Sequence, residues 1–90
     1  MSKQTRELEK TVKGFANHRR IEILMLLEKK PDLSVFEVTE ELEINFRTAS
    51  QHIRRLTNSE LVWKTNDGNY VRHALSPLGK TILKFLRTLA

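Results

Sequence analysis

Apolar residues recur every three to four positions along most of this chain, and at every second position over one short stretch. Leu8, Val12, Phe15 and Ala16 mark a helix from about Lys3 to Ala16. Asn17 is placed to cap a second, His18 to Lys30, with Ile21, Leu24, Met25 and Leu27 on one face and Ile23 beside them; Pro31 stops it. The third start signal is the clearest. Ser34 and Glu37 have capping-box spacing, with Leu33 and Val38 at the positions of a hydrophobic staple, so a helix is expected to run to about Glu43 and bury Val35, Val38 and Leu42. Ile44-Asn45-Phe46 makes a tight connection with Asn45 as the next cap, and a fourth helix from Phe46 to about Asn58 turns Ala49, Ile53 and Leu56 inward. The period then drops to two. Leu61–Thr65 and Tyr70–Leu75 are expected strands, with Asn66-Asp67-Gly68-Asn69 as the turn between them. Ser76 caps a last helix, 77–89, with Pro77 at its first position and Leu78, Ile82, Phe85 and Leu89 on one stripe that Leu83 and Leu86 widen.

The order is four helices, a hairpin and a helix: a mainly α domain with five helices and a small two-stranded β-hairpin. Two short helices joined by a tight turn and followed at once by a hairpin describe a winged helix-turn-helix. No linker or repeat divides the chain, so 1–90 reads as a single domain. With Ala49, Ile53 and Leu56 inward, the fourth helix leaves Arg47, Thr48, Ser50, Gln51, Arg54 and Arg55 facing or flanking solvent. These side chains suit a DNA major groove, where Arg pairs with guanine, Gln with adenine, and Ser or Thr with bases or phosphates. In the hairpin 62–75, read as a wing, Lys64, Asn69 and Arg72 are within reach of phosphates, although Asp67 at the tip would repel them. Arg19 and Arg20 open the second helix, where a phosphate could bond both the helix N-terminus and a guanidinium.

Charge sharpens this picture. Residues 1–43 hold eight Lys/Arg against nine Asp/Glu, whereas residues 44–90 hold eight against two, which accounts for the net charge of +5. No acid lies between residues 44 and 59, unlike an arginine-bearing helix that merely keeps a protein soluble. A positive excess packed into one half attracts polyanions at long range. There is no Cys, which removes disulfides and thiolate chemistry and fits a reducing cytoplasm. The longest apolar run, Ile23 to Leu27, is far short of the roughly 20 residues a membrane span needs, and the N-terminus has no signal-peptide pattern. A cytoplasmic, nucleoid-associated protein is expected.

The segment from Asn17 to Leu75 resembles the ArsR-type winged-helix transcriptional regulators. The resemblance rests on Phe15-Ala16-Asn17-His18-Arg19-Arg20-Ile21-Glu22-Ile23-Leu24, on Leu33-Ser34-Val35-Phe36-Glu37-Val38, and on Ala49-Ser50-Gln51-His52-Ile53-Arg54-Arg55-Leu56, continuing through Leu61-Val62 and Gly68 to Val71 and Leu75. It implies a DNA-binding homodimer that uses the same recognition helix and pairs through its terminal helices. Many members carry left-handed glycines after the positioning and recognition helices. Here Glu43 and Glu60 stand in those places, so altered turn geometry is expected, with Asn58 taking over the second role. His18 replaces a proline frequent in the family. The Cys pair by which many members sense metals is matched by Ser34 and Phe36, and residues 77–89 contain neither Asp nor His, so a metal-sensing role is not carried over. His18, His52 and His73 lack metal-like spacing and are expected to be structural or exposed.

An enzyme is not expected. The acids cluster on one helix as Glu37, Glu40, Glu41 and Glu43, no phosphate-binding Gly loop exists, and no cofactor is implied. The terminal helices (1–16 and 77–89) carry more apolar surface than so small a core uses. Leu8, Val12, Ile82, Leu83, Phe85, Leu86 and Leu89 are therefore candidate dimer contacts. The resulting expectation is a homodimeric regulator, a repressor, reading a pseudo-palindromic double-stranded DNA site, with no membrane partner and no legible effector. Two alternatives stay open: sequence-independent nucleic-acid binding, as in a nucleoid protein, and a winged helix that docks another protein.

Overall fold

Every helix of the chain begins at a side-chain cap. The computed structural model describes residues 2–90 as α1 (Lys3–Phe15), α2 (His18–Lys29), α3 (Val35–Leu42), α4 (Phe46–Asn58), β1 (Val62–Asp67), β2 (Tyr70–Leu75) and α5 (Pro77–Leu89). Ser2, Asn17, Ser34, Asn45 and Ser76 each accept hydrogen bonds from first-turn amides of the helix that follows. At α3 the capping box is complete: Ser34 Oγ accepts from Glu37 N at 3.1 Å, and Glu37 Oε1 accepts from Ser34 N at 2.9 Å. A cap of this kind contributes typically about 1 kcal/mol. Five of them make the helix starts in this short chain well determined.

The helix ends hold a correction. Glu43 (φ 54°) and Glu60 (φ 61°) both adopt the left-handed conformation despite carrying a Cβ, so the expected change of turn geometry is absent and Asn58 stays inside α4. Backbone bonds hold each bend. Ile44 N donates to Thr39 O and Leu61 N to Leu56 O, the long bond that closes a Schellman-type helix end. The cost of a left-handed residue with a Cβ, of order 1–2 kcal/mol, is set against these satisfied carbonyls.

β1 and β2 pair antiparallel from Val62↔Leu75 to Asp67↔Tyr70, leaving only Gly68 and Asn69 as the loop. β1 therefore starts one residue later and runs two residues further than its apolar pattern indicates, because backbone pairing continues into polar Asn66 and Asp67. Gly68 takes φ 62°, which glycine adopts without strain. A bridge between Leu33 and His73 ties the α2–α3 connection to β2. His73 is buried, and its Nδ1 donates to the Leu33 carbonyl at 2.9 Å.

The core joins Phe15, Ile23, Leu24, Leu27, Val38, Ile53, Leu56, Leu61, Val62, Leu75 and Leu83. Val35, Leu42, Ile82 and Leu86 pack half-buried against it. Met25, expected inward, is 42% exposed, because Ile23, Leu24 and Leu27 already fill the inward side of α2. The first turn of α5 is pinned to the end of α4: Ser76 Oγ donates to Glu60 O at 2.6 Å, and Ser76 N donates to Leu61 O at 3.1 Å. A Cβ on Gly79 would stand 2.2 Å from that Leu61 oxygen, so only glycine lets α5 approach so closely. The end of the recognition-helix candidate and the start of the C-terminal helix are thus joined by two hydrogen bonds from Ser76.

Candidate nucleic-acid interface

Helix α4 is positioned by its own stripe. Ala49, Ile53 and Leu56 are buried, and Asn45 Oδ1 accepts from Arg47 N (2.7 Å) and Thr48 N (3.3 Å) at its start. Helical spacing then places Arg47, Gln51, Arg54 and Asn58 along the outward line, four, three and four residues apart, and all four are exposed. Thr48 and Arg55, also exposed, flank the line on the side of α2, and half-buried Ser50 flanks it on the side of the wing. Asn58 belongs to this line although its place near a helix end reads as a cap. The i, i+4 step from Arg54 is the signal that identifies it.

Arg19 and Arg20 are neighbours in sequence but differ in environment. Arg19 Nη1 lies 3.4 Å from both carboxylate oxygens of Glu22, in a half-exposed pair that solvent screens. Arg20 is held by two neighbours. Its Nη1 contacts His52 Nδ1 at 3.2 Å and its Nη2 donates to Lys13 O at 3.4 Å, so it spans α1, α2 and α4. Its Nε is buried without a partner, and burial, then nearby Arg55, lowers its pKa. A guanidinium only donates, so His52 Nδ1 must accept, and the ring proton sits on Nε2. Burial first, then Arg20, His18, Arg19 and Arg55, lowers the His52 pKa and keeps the ring neutral near pH 7. His52 is therefore a seating residue for α4. Its contact with Arg20, 32 residues away, left no sign in the local pattern.

The wing divides in the same way. Lys64 is exposed and enters no ion pair among the described residues, and Asn69 is exposed at the tip. Arg72 is tied down instead: Nε donates to Asp67 Oδ2 at 2.9 Å, Nη1 donates to Asp32 O at 3.1 Å, and the guanidinium lies 5.8 Å from the Tyr70 ring centre. The Asp67 bond raises its pKa. Asp67 at the tip is thus paired with Arg72.

Among the described residues, no group of three or more His, Cys, Asp or Glu is arranged to hold a metal, and no helix is long and apolar enough to cross a membrane. The candidate interface is thus an arginine-lined helix beside a wing strand that carries an exposed Lys64.

Comparison with known proteins agrees with that arrangement. Residues 17–64 match the family model described as "Bacterial regulatory protein, arsR family". Among solved structures, HlyU from Vibrio cholerae N16961 is 31% identical over 99% of this chain and 97% of its own, with a TM-score of 0.83. The transcriptional regulator HlyU from Vibrio vulnificus CMCP6 is 30% identical over 96% of this chain and 90% of its own, with a TM-score of 0.76. The homodimeric winged helix-turn-helix DNA-binding domain Mb0332 from Mycobacterium bovis shares the fold at 20% identity, covering 99% of this chain and 86% of its own, with a TM-score of 0.86. No curated protein sequence matches the chain significantly. With a capped helix-turn-helix, an arginine-bearing fourth helix, a paired wing and a family match over more than half its length, this chain belongs to the ArsR family of bacterial winged-helix transcriptional regulators.

Proposed function

We propose that the protein is a sequence-specific repressor that binds double-stranded DNA as a homodimer, with α4 in the major groove and the wing beside it. The observation that carries this reading is the outward line Arg47–Gln51–Arg54–Asn58 on a helix free of acids. Arg47, Gln51 and Arg54 supply base-reading donors and acceptors, with Ser50 and Asn58 beside them. Thr48, Arg55, Lys64, Asn69 and Arg19 contact phosphates and fix the register, while Arg20 and Arg72 hold α4 and the wing in place.

The dimer is carried by the terminal helices. Leu8 (60% exposed), Val12 (52%), Phe85 (51%) and Leu89 (69%) are open to water, with Ile82 and Leu86 half-buried beside them. Leu83 is a correction to this surface: it is fully buried in the chain's own core and is not available to a partner. A two-fold dimer through α1 and α5 would carry two recognition helices to successive major grooves, roughly 34–36 Å apart, and so would read a pseudo-palindrome. That the Mycobacterium bovis neighbour is described as homodimeric favours the same arrangement.

The test is selection from a random double-stranded DNA library at about physiological salt with excess competitor. Enrichment of an inverted repeat with half-sites one helical turn apart is expected. Binding without enrichment would replace this reading with architectural DNA binding, and no binding at all would replace it with protein docking.

A further inference from the structure

We propose that the cleft between the C-terminal end of α2, β2 and α5 is a binding site for an amphipathic monocarboxylate. The cleft measures about 540 Å³ and is lined by Leu27, Pro31, Ala74 and Leu75 together with Glu28, Lys80, Lys84 and Arg87. That volume is in the range of small-molecule pockets, which combine apolar walls with a few polar groups that set orientation.

The charges at its mouth are unequal in a way that selects a ligand. Glu28, the one acid among the lining residues, is already bound to Arg87: Nη1 donates to Oε2 at 3.0 Å and Nη2 contacts Oε1. The pairing lowers the Glu28 pKa and raises that of Arg87, so the two charges persist together and cancel. Lys80 and Lys84 are left. Both are exposed, neither enters an ion pair among the described residues, and α5 contains no acid at all. They stand one turn apart, where like charges repel and oppose the helix unless an anion lies between them.

Helical spacing sets Lys80, Lys84 and Arg87 on the side of α5 away from Leu78, Phe85 and Leu89. A dimer formed through the apolar stripe would therefore leave the cleft open. A carboxylate bridging the two lysines would lay its apolar body against Leu27, Pro31, Ala74 and Leu75. An alkylammonium would meet two like charges, and an alcohol would leave both lysines unpaired. The inference does not depend on what α4 reads, and its test needs no DNA.

The experiment is a titration of the isotopically labelled full chain with sodium octanoate, followed by amide NMR shifts, with 1-octanol and octylamine as charge controls. Saturable shifts are expected at Leu27, Ala74, Leu75, Lys80 and Lys84, with octanol at least tenfold weaker and octylamine without effect. The double variant Lys80→Glu/Lys84→Glu should weaken octanoate at least tenfold at an unchanged melting temperature, since both side chains are exposed. The proposal is overturned by an absence of saturable shifts with octanoate, by octanol binding as well as octanoate, by shifts centred on Leu8, Phe85 and Leu89, or by a folded double variant that binds like the wild type. Because no arm measures DNA affinity, failure here leaves the regulator reading untouched, and failure of that reading leaves this one standing.

Discussion

Helices α4 and α5 are both thirteen residues long, both open on a side-chain cap, and both bury one stripe in the same core. They differ in what they turn outward. α4 shows water Arg47, Gln51, Arg54 and Asn58, whereas α5 shows it Leu78, Phe85 and Leu89. Hydrated charge costs a free protein nothing and can be exchanged for phosphate and base contacts, while exposed leucine and phenylalanine gain only by leaving water. In the proposed reading, the outward line of α4 meets a polyanion and the apolar stripe of α5 meets a second copy of the chain. Two hydrogen bonds from Ser76, to Glu60 O and Leu61 O, tie the start of α5 to the end of α4.

The largest effect expected on this contrast separates the two faces of α5. Leu83→Ala removes a fully buried side chain from the core and should lower unfolding free energy by about 2–5 kcal/mol in urea titration. Phe85→Glu, two residues on, should leave the isolated protomer's stability within about 0.5 kcal/mol, as surface changes usually do. It should nevertheless shift sedimentation toward monomer. If Phe85→Glu proved as destabilising as Leu83→Ala, or left the dimer intact, the apolar face of α5 would not be an interface. Gly79→Ala should resemble the core change, because its Cβ would collide with backbone that cannot retreat.

Next comes the outward face of α4. Arg54→Ala should cost about 1–3 kcal/mol of operator binding and relax preference at one base position, with oligomeric state and stability unchanged. An equal loss on every sequence would demote Arg54 to a phosphate contact. A smaller effect distinguishes an arginine in a solvent-screened surface pair from one held by two partners. Arg19→Ala should reduce the salt dependence of binding by about one unit of slope, whereas Arg72→Ala, already committed to Asp67 and Asp32, should leave that slope unchanged.

What was legible beforehand follows from how local each cause is. The helix starts rest on caps one to three residues from the amides they bind, so Asn17, Ser34, Asn45 and Ser76 read correctly from spacing alone. The outward face of α4 was legible for the same reason, since a buried stripe fixes its complement. The rest depended on contacts far apart in the chain. Whether Arg20 and Arg72 are free is decided by His52, Lys13 and Asp32, and whether Leu83 faces a partner or its own core is decided by where α5 meets α2 and β2. The left-handed Glu43 and Glu60 failed a local rule because the long backbone bonds at both helix ends outweigh a modest steric cost. Met25 stays exposed because the helical stripe is wider than the side that the core can accept.

The smallest effect concerns pH, and it again separates α4 from α5. His52, against Arg20 under α4, and buried His73, against Leu33, both have lowered pKa values with burial as the first cause; at His73 the Leu33 bond opposes the shift and Lys64 adds to it. Each histidine therefore takes up a proton more readily in the unfolded chain, whose ordinary value is about 6.5. The folded state binds fewer protons than the unfolded one below that pH. Stability should be full above about pH 6.5 and should fall as pH drops through it. Glu28 and Glu37, with lowered carboxyl pKa values, act in the same direction only below the ordinary glutamate range near 4.3. Urea midpoints between pH 7.5 and 5.5 should thus report the histidines alone, and α5, which contains no histidine or acid, should contribute nothing. His52→Gln should flatten part of that slope, and it should also loosen the Arg20 contact that seats α4, weakening DNA binding with little change in overall stability. A pH slope unchanged in His52→Gln and in His73→Gln would place the titrating groups elsewhere.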